Sequence, residues 1–151
     1  MQAIIFCGIQ ASGKSSFYRE RFFNSHVRIS LDLLRTRHRE RLFLETCLKS
    51  QMRFVVDNTN PTREERSRYI RMAREAKYEV VGYFFEASSE EAVKRNSRRA
   101  GRFLIPVKGI YGTQKRLEVP TLGEGFDKLY QVRLMPWGAF EVRQAEEQGG
   151  S

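Results

Sequence analysis

The chain has 151 residues, of which 40% are hydrophobic and 30% are charged. This length favours one domain with a single core, and the composition excludes an intrinsically disordered chain. No apolar run approaches the roughly 20 residues that a membrane-spanning helix needs, and no signal-type segment opens the sequence, so we expect a cytoplasmic protein. The two cysteines, Cys7 and Cys47, form no metal-binding pattern and are expected to be buried free thiols.

The net charge is +9, from 27 Lys and Arg residues against 18 Asp and Glu residues. Such an excess favours polyanionic partners, nucleic acids among them. A generally basic surface that keeps the protein in solution explains the net charge equally well. Charge alone therefore leaves both interpretations open.

Strands and helices are predicted to alternate through the first two thirds of the chain. Apolar, β-prone runs predict strands over residues 2–7, 27–30, 53–57 and 79–85. Amphipathic spacing predicts helices over residues 14–23, 31–50 and 62–77, and a further helix from Ser88 or Ser89 into an arginine-rich segment. Thr62, with Glu65 three residues on, predicts a capping box at the start of the third of these helices. This order indicates an α/β fold with a mainly parallel central sheet and helices on both faces.

The last third is predicted to add an edge to this sheet. A helix is expected over residues 106–118, although glycines interrupt it. Residues 129–134 and 139–143 predict two strands joined through a turn at Trp137, an antiparallel addition in which Trp137 packs against the fold. We expect residues 1–145 to form one domain and residues 146–151 to be a polar tail or a linker remnant.

The stretch "GIQASGKSSF" contains the P-loop pattern, with Gly8, Gly13, Lys14 and Ser15 at the required spacing. Its glycines let backbone N–H groups converge on phosphate oxygens, and the following helix adds a partial positive charge. Lys14 is predicted to reach the β- and γ-phosphates, and the Ser15 hydroxyl to bind Mg²⁺ or Mn²⁺. The predicted ATP-binding residues of this loop are Gly8, Ala11, Ser12, Gly13, Lys14, Ser15 and Ser16.

Two further charged residues follow the second predicted strand. Asp32 is expected to face the nucleotide cleft, where its carboxylate could accept a proton from an attacking hydroxyl. Arg35, three residues on and on the same predicted helical face, could grip a phosphate of the acceptor. An N-capping aspartate with an i,i+3 ion pair is the alternative, and the neighbouring P-loop favours the catalytic interpretation over it.

Polar residues also follow the third predicted strand. Asp57 ends an apolar strand, the usual setting of the acid that assists the metal in P-loop proteins, so it is predicted to share the metal with Ser15. Asn58 and Thr59 are candidates for contact with the acceptor. For both, formation of the turn before Pro61 is an equally good explanation.

The segment "VKRNSRRAGR" places Arg95, Arg98, Arg99 and Arg102 at and beyond a helix end. Such a segment is typical of a lid that folds over the nucleotide, where an arginine neutralises charge on the transferred phosphoryl group. We expect Arg95 and Arg99 to contact ATP. A solvated helix end, whose cations interact favourably with the helix dipole, is the alternative.

Taken in order, the P-loop, "SLDLLR", "VVDNTNPTREERSRYI", "KRNSRR" and "YGTQKRLEVPTLGEGF" resemble the kinase domain of the 5′-hydroxyl polynucleotide kinases. The resemblance covers roughly residues 1–137. It implies a three-layer P-loop kinase fold with an arginine-rich lid, and ATP-dependent phosphorylation of a 5′-OH end of DNA or RNA, as in end healing and repair.

The resemblance also implies roles for single residues. Lys14 binds phosphate as a catalytic residue, Asp32 is the general base, and Arg35 holds the 3′-phosphate of the terminal nucleotide. Arg99 is the lid arginine on the donor phosphates. Phage-type members commonly carry two acidic residues where this chain has Asp32 and Leu33, which leaves one candidate base.

The phosphatase domain that often accompanies these kinases does not fit into the chain. A separate 3′-phosphatase or ligase partner, or a fused domain beyond the C-terminus, would have to supply that step. Two other functions stay open: a P-loop kinase of a small hydroxylated metabolite or antibiotic, and a nucleotide-dependent binding module without transfer. No membrane partner is expected.

Overall fold

The structure is a computed structural model that describes residues 1–99, 101 and 104–146. Its centre is a six-stranded sheet with the order β2-β3-β1-β4-β5-β6. Strands β1 to β5 pair in parallel and β6 pairs antiparallel with β5. The mainly parallel sheet and the antiparallel edge are therefore confirmed. The strands are β1 (Gln2–Cys7), β2 (Val27–Ile29), β3 (Phe54–Val56), β4 (Glu79–Phe85), β5 (Lys128–Leu134) and β6 (Phe140–Gln144).

Helices cover both faces of the sheet because its strands are apolar on both sides. Alternate residues of β1 illustrate this: Ala3 and Ile5 pack into a core with α3 and α4, while Ile4 and Phe6 pack into a second core with α1. This arrangement gives the three layers expected of an α/β fold. The helices are α1 (Lys14–Arg21), α2 (Leu31–Leu34), α3 (Arg37–Ser50), α4 (Arg63–Glu75), α5 (Ser89–Asn96) and α6 (Val107–Arg116).

The prediction of a single helix over residues 31–50 is wrong, because the helix is interrupted after Leu34. Arg35 has a φ of 76°, outside the helical region. The Thr36 side chain then accepts a hydrogen bond from the Arg39 backbone N–H at 3.1 Å and caps α3. The apolar periodicity of the sequence continues through the interruption because α2 and α3 both bury apolar residues. The Thr36 cap nevertheless starts a separate helix.

Helix α4 begins with the predicted capping box, in which Thr62 and Glu65 bond each other's backbone N–H groups. The helix also buries Arg66, whose Nε donates to Glu124 Oε1 at 2.8 Å. The Arg66 guanidinium further donates to the carbonyls of Asn60 and Pro61 at 2.9 and 3.1 Å. This buried pair fixes the loop after β3 against the 3-10 turn Leu122–Glu124.

The hairpin of β5 and β6 lies against the P-loop. A Cβ on Gly13 would be 3.1 Å from Phe140 and 3.4 Å from Leu134. Trp137 at the hairpin turn is 73% exposed, so the expectation that it packs against the fold is wrong. Residues 147–151 of the predicted tail lie outside the described residues, while Ala145 still donates its N–H to the Leu129 carbonyl.

Both cysteines are buried free thiols, as expected. Burial raises the pKa of the Cys7 thiol to about 11, so it stays protonated at neutral pH. Within the described part of the chain, no helix has the length and apolar character needed to cross a lipid bilayer.

Candidate active site

A cavity of about 410 Å³ opens at the carboxyl ends of β1 and β3, the edge at which parallel sheets bind ligands. It brings together predicted donor, acceptor and metal residues from separate parts of the sequence. The predicted residues on its wall are Ala11, Gly13, Lys14, Ser15, Ser16, Asp32, Asp57, Asn58, Thr59 and Arg99. The remaining predicted residues, Gly8, Ser12, Arg35 and Arg95, are not among those that line it.

The P-loop turns directly into the N-terminus of α1. Gly13 has a φ of 103°, which a residue with a side chain rarely adopts, and the helix begins at the next residue. The Lys14 ammonium is buried and donates to the carbonyls of Gly8 and Ile9 at 2.9 and 2.7 Å. Backbone N–H groups at a helix start and a confined cation form a phosphate-binding site.

The surroundings of Lys14 disfavour its charged form. Burial lowers the pKa of Lys14 to about 8, although the nearby carboxylates of Asp57 and Asp32 act in the opposite direction. The charge of Arg99 lowers the pKa of Lys14 further. The site therefore concentrates positive charge that a polyphosphate would neutralise.

Gly8 and Ser12 are buried and do not line the cavity, and Gly8 holds the P-loop in place. A Cβ on Gly8 would lie 2.9 Å from the Phe85 Cβ and 3.0 Å from the Phe85 carbonyl, so glycine is required for close packing against the end of β4. The Gly8 N–H donates to the Thr59 carbonyl at 2.9 Å. This bond ties the start of the P-loop to the segment that follows β3.

Ser15 and Asp57, the two predicted metal ligands, are in direct contact. The Ser15 hydroxyl donates to Asp57 Oδ2 at 3.0 Å, and the Asp57 side chain is 1% exposed. A hydroxyl and a carboxylate beside a phosphate-binding loop are the hard oxygen donors that Mg²⁺ or Mn²⁺ prefers, so the pair fits a divalent cation. Among the described residues, no group of three or more His, Cys, Asp or Glu side chains is placed so that it could hold a metal ion by itself.

Asp32 lies in α2, on the cavity wall and exposed to solvent. The helix break places Arg35 outside the helix, exposed, and away from that wall. The prediction that both residues share one helical face is therefore wrong. The two remain neighbours in sequence, with Asp32 at the cavity and Arg35 on the surface beside it.

Asn58 holds the helix that carries Asp32. Its Oδ1 accepts from the Leu31 backbone N–H at 2.9 Å, which gives α2 the cap that Ser30 does not supply. Its Nδ2 donates to the buried Glu40 carboxylate at 2.9 Å. Tyr69 donates to the other Glu40 oxygen, also at 2.9 Å. Although Asn58 lines the cavity, its amide is committed to Leu31 and Glu40 rather than to the predicted turn, and Thr59 is the freer candidate for contact with an acceptor.

The predicted lid is only partly within the described residues, and Arg102 lies outside them. Arg99 is exposed on the cavity wall. Arg95 instead donates to the carbonyls of Ala11 and Leu134 at 3.3 and 3.1 Å, so it braces the P-loop against β5. The buried Asn96 exchanges two hydrogen bonds with the backbone of Ile105, which closes the base of the lid segment.

Sequence reasoning missed Arg28 and Glu40. Arg28 bonds both Ser15 and Asp57. In the sequence it is one of 27 Lys and Arg residues, and the short strand that contains it carries no motif that would single it out. Glu40 had a signal, because it shares its spacing with the buried Leu44 and Cys47 of α3. An acid on an apolar helix face indicates a buried hydrogen-bond network.

We predict that triphosphate binding takes up a proton above pH 8. Phosphate oxygens favour the charged lysine, whereas the nucleotide-free protein releases that proton as pH rises through about 8. Affinity should fall with rising pH by close to tenfold per pH unit above that value. Calorimetry of ATP binding at pH 9 in two buffers of different ionisation enthalpy measures the uptake.

Because of the same shift, the free energy of unfolding of the nucleotide-free protein should rise with pH between about pH 8 and pH 10.5, since over that range the unfolded chain still holds the proton that the folded chain has released. Lys49→Met, at an exposed lysine of α3, is the control and should leave the proton uptake unchanged. Binding at pH 9 without proton uptake would contradict this assignment of Lys14.

Asn58→Ala is predicted to lower the free energy of unfolding by about 1–3 kcal/mol, because it leaves the Leu31 N–H and the buried Glu40 oxygen without their partner. ATP affinity should change little, since Asn58 bonds no P-loop residue. Urea unfolding and ATP titration measure the two effects. Thr59→Ala is the matched control, and an equal loss of stability in both variants would argue against the role of Asn58.

Two solved structures share this fold. The gluconokinase of Sinorhizobium meliloti superposes with a TM-score of 0.62 at 18% identity, covering 86% of this chain and 82% of that chain. Kti12 of Chaetomium thermophilum, solved in complex with ADP-AlF3, gives a TM-score of 0.64 at 17% identity, covering 87% and 88%. At these identities the likeness shows the fold, a P-loop α/β sheet.

A curated relative is the bifunctional polynucleotide phosphatase/kinase of Schizosaccharomyces pombe, 27% identical over 135 residues. The alignment covers 87% of this chain and 33% of that protein, so the chain spans about a third of the relative's length. Together with the P-loop geometry, this relative supports a nucleotide-binding phosphotransferase domain.

A family model described as an AAA domain matches residues 4–120. The match contains the P-loop, Asp32, Asp57 and Arg99. The chain therefore belongs to the AAA domain family, and its fold is that of the P-loop kinases.

Proposed function

We propose that the protein is an ATP-dependent polynucleotide 5′-hydroxyl kinase, which transfers the γ-phosphate of ATP to the 5′-OH end of DNA or RNA. The observation that carries the proposal is the shared cavity, whose wall contains Asp32 together with the P-loop residues Lys14 and Ser15. A hydroxyl acceptor needs a base at that place, whereas a nucleotide switch does not. The curated relative named a polynucleotide phosphatase/kinase supports the same acceptor class.

The donor half would hold ATP on the P-loop. Backbone N–H groups from Ala11 to Ser16 and the charge of Lys14 would bind its phosphates. Ser15 and Asp57 would hold Mg²⁺ or Mn²⁺, which when bound neutralises phosphate charge. Arg99 faces the same cavity and would stabilise the charge that develops on the transferred phosphoryl group.

The acceptor half would be built around Asp32. Its carboxylate accepts the proton of the 5′-hydroxyl as that oxygen attacks the γ-phosphorus. The new P–O bond forms as the bond from the γ-phosphorus to the bridging oxygen breaks, which leaves ADP and a 5′-phosphate. Asn58 contributes by fixing the start of α2, so Asp32 does not have to be ordered at the moment of reaction.

The surface beside Asp32 suits a polyanion. Residues 35–41 include four arginines and a histidine, and all five of these side chains are exposed. Arg35 comes first in this segment and is the residue we propose for the phosphate of the terminal nucleotide. Arginine binds phosphate in a bidentate manner, and a cluster of cations supplies the sequence-independent part of nucleic-acid affinity.

Two connected proposals concern the setting of the reaction. Repair of an end that also carries a 3′-phosphate would need a phosphatase and a ligase, either as partners or as domains fused to this chain. The relative's name joins phosphatase and kinase in a protein about three times as long as the matched part. We propose that this repair of nucleic-acid ends takes place in the cytoplasm.

A kinase of a small hydroxylated molecule is the second candidate. Arg35 does not line the cavity, which favours a compact acceptor that contacts Asp32 without reaching the basic surface. A binding module without transfer is disfavoured because it would have no use for Asp32 at the cavity wall. The two kinase functions differ in how the acceptor responds to salt.

The deciding experiment is transfer of label from γ-labelled ATP with Mg²⁺ to matched DNA and RNA oligonucleotides. We expect labelling of 5′-OH ends and none of 5′-phosphate ends, with an acceptor affinity that falls steeply as salt rises. Arg35→Ala should weaken binding of the acceptor and reduce the slope of log affinity against log salt concentration by about one. Label on gluconate or another small polyol, with none on oligonucleotides, would establish the second candidate instead.

Asp32→Ala is predicted to lower kcat by roughly 10²–10⁴-fold, because a general base typically contributes that factor. ATP affinity should stay within about twofold, since Asp32 makes no bond to the P-loop in this structure. Glu20→Ala, at an exposed acid of α1, is the matched control. Parallel loss of ATP binding and kcat in Asp32→Ala would remove the base role from this residue.

A further inference from the structure

Arg28 occupies a distinctive place in the phosphate site. It is the middle residue of β2, and its Nε donates to Asp57 Oδ2 at 2.9 Å. Its Nη2 donates to the Ser15 hydroxyl at 3.1 Å. Because Ser15 also donates to the same Asp57 oxygen at 3.0 Å, the three side chains form a closed triangle of hydrogen bonds. The phosphate site thus contains a built-in cation that sequence patterns do not reveal.

This cation has an electrostatic reason to be there. The Asp57 carboxylate is 1% exposed and the Arg28 side chain 27% exposed. A buried carboxylate is costly unless a positive charge and hydrogen bonds compensate it. The Arg28 guanidinium supplies both, and its central carbon lies 6.0 Å from the centre of the Tyr18 ring, a cation–π distance. Arg28 is therefore the ion-pair partner that makes the buried Asp57 tolerable.

The two oxygens that Arg28 binds are the two that fit a divalent cation. Mg²⁺ takes its oxygen ligands at about 2.0–2.1 Å in near-octahedral geometry. A guanidinium that donates to both oxygens uses lone pairs that such a cation would need. Two positive centres on one carboxylate oxygen repel strongly in a partly buried site.

We propose that Arg28 competes with the divalent cation for Ser15 and Asp57. The cation then binds well only together with the triphosphate, whose negative charge compensates both positive groups. Metal and nucleotide are thereby coupled: each raises the affinity for the other by the same factor. The inference rests on the phosphoryl-transfer part of the proposed function and not on the identity of the acceptor.

The coupling has a functional consequence. A P-loop protein that held a divalent cation without nucleotide would compete poorly for ATP that already carries its own metal. Arg28 keeps the ligands of the metal satisfied until the metal–triphosphate complex arrives. Once released from Asp57, the guanidinium remains beside the phosphates, where it adds positive charge to that of Lys14 and Arg99.

The test is a titration of the nucleotide-free protein with Mn²⁺, in which electron paramagnetic resonance measures the concentration of free ion. We expect Arg28→Met to bind Mn²⁺ at least tenfold more tightly than the parent protein. Arg53→Met removes the same charge at an exposed position directly before β3 and should leave Mn²⁺ affinity unchanged. Asp57→Asn in the Arg28→Met background should abolish the tight site. Affinity for Mn²⁺ within twofold of the parent in Arg28→Met would overturn the proposal.

Thermal unfolding provides a second readout, because Arg28→Met leaves Asp57 buried without its partner. Its Tm should fall without metal and rise on addition of Mn²⁺ by more than the parent's Tm does. If Arg28→Met does not fold, Arg28→Lys keeps the charge but not the two-pronged contact, and intermediate Mn²⁺ affinity is expected. Arg28→Lys with the parent's affinity would then overturn the proposal. Neither measurement contains an acceptor, so failure to phosphorylate polynucleotides leaves this inference unaffected.

Discussion

The parallel register of β1, β2 and β3 is the constraint on which the site depends. Ile5 and Ile29 both pair with Val56, so β2 and β3 end at the same level while β1 continues two residues further, to Cys7. The Asp57 N–H then bonds the Ile29 carbonyl at 2.7 Å and extends the ladder by one residue. Because side chains alternate between faces, a shift of one residue would turn Asp57 away from the P-loop.

Buried charge is the recurring cost of this arrangement. Lys14, Asp57, Glu40 and Arg66 are all buried, and each bonds named partners in the structure. The Arg66–Glu124 ion pair fixes the backbone after β3, and neither of its residues lines the cavity. Lys14 and Asp57, in contrast, line the cavity in which we propose that a metal–triphosphate binds. The first ion pair is enclosed by protein, whereas the Asp57 carboxylate of the Arg28–Asp57 pair borders the cavity.

The two halves of the cavity differ in how they are held. The P-loop is tied at its start, by Gly8 to the segment after β3, and at its middle, where Arg95 joins Ala11 to β5. Asp32 lies on a four-residue helix whose cap is the single side chain of Asn58. A donor half with more tethers than the acceptor half would suit the proposed reaction, in which one donor meets acceptors of different shape. The exposed arginines and histidine of residues 35–41 would extend the proposed acceptor half along the surface.

Sequence by itself determined the order of strands and helices, the P-loop pattern, the capping box at Thr62 and the position of Asp57 at the end of an apolar strand. These features follow from local chemistry or from a motif whose partner occurs at a fixed strand end. The break at Arg35 was not predicted, because apolar periodicity continues across it while the Thr36 cap depends on backbone geometry. Only the tertiary structure assigned Arg95 to bracing, Asn58 to holding α2 and Arg28 to the Asp57 carboxylate. Each of these roles depends on contacts between residues 27 to 84 positions apart in sequence, and such contacts form only once the sheet has brought its strand ends together.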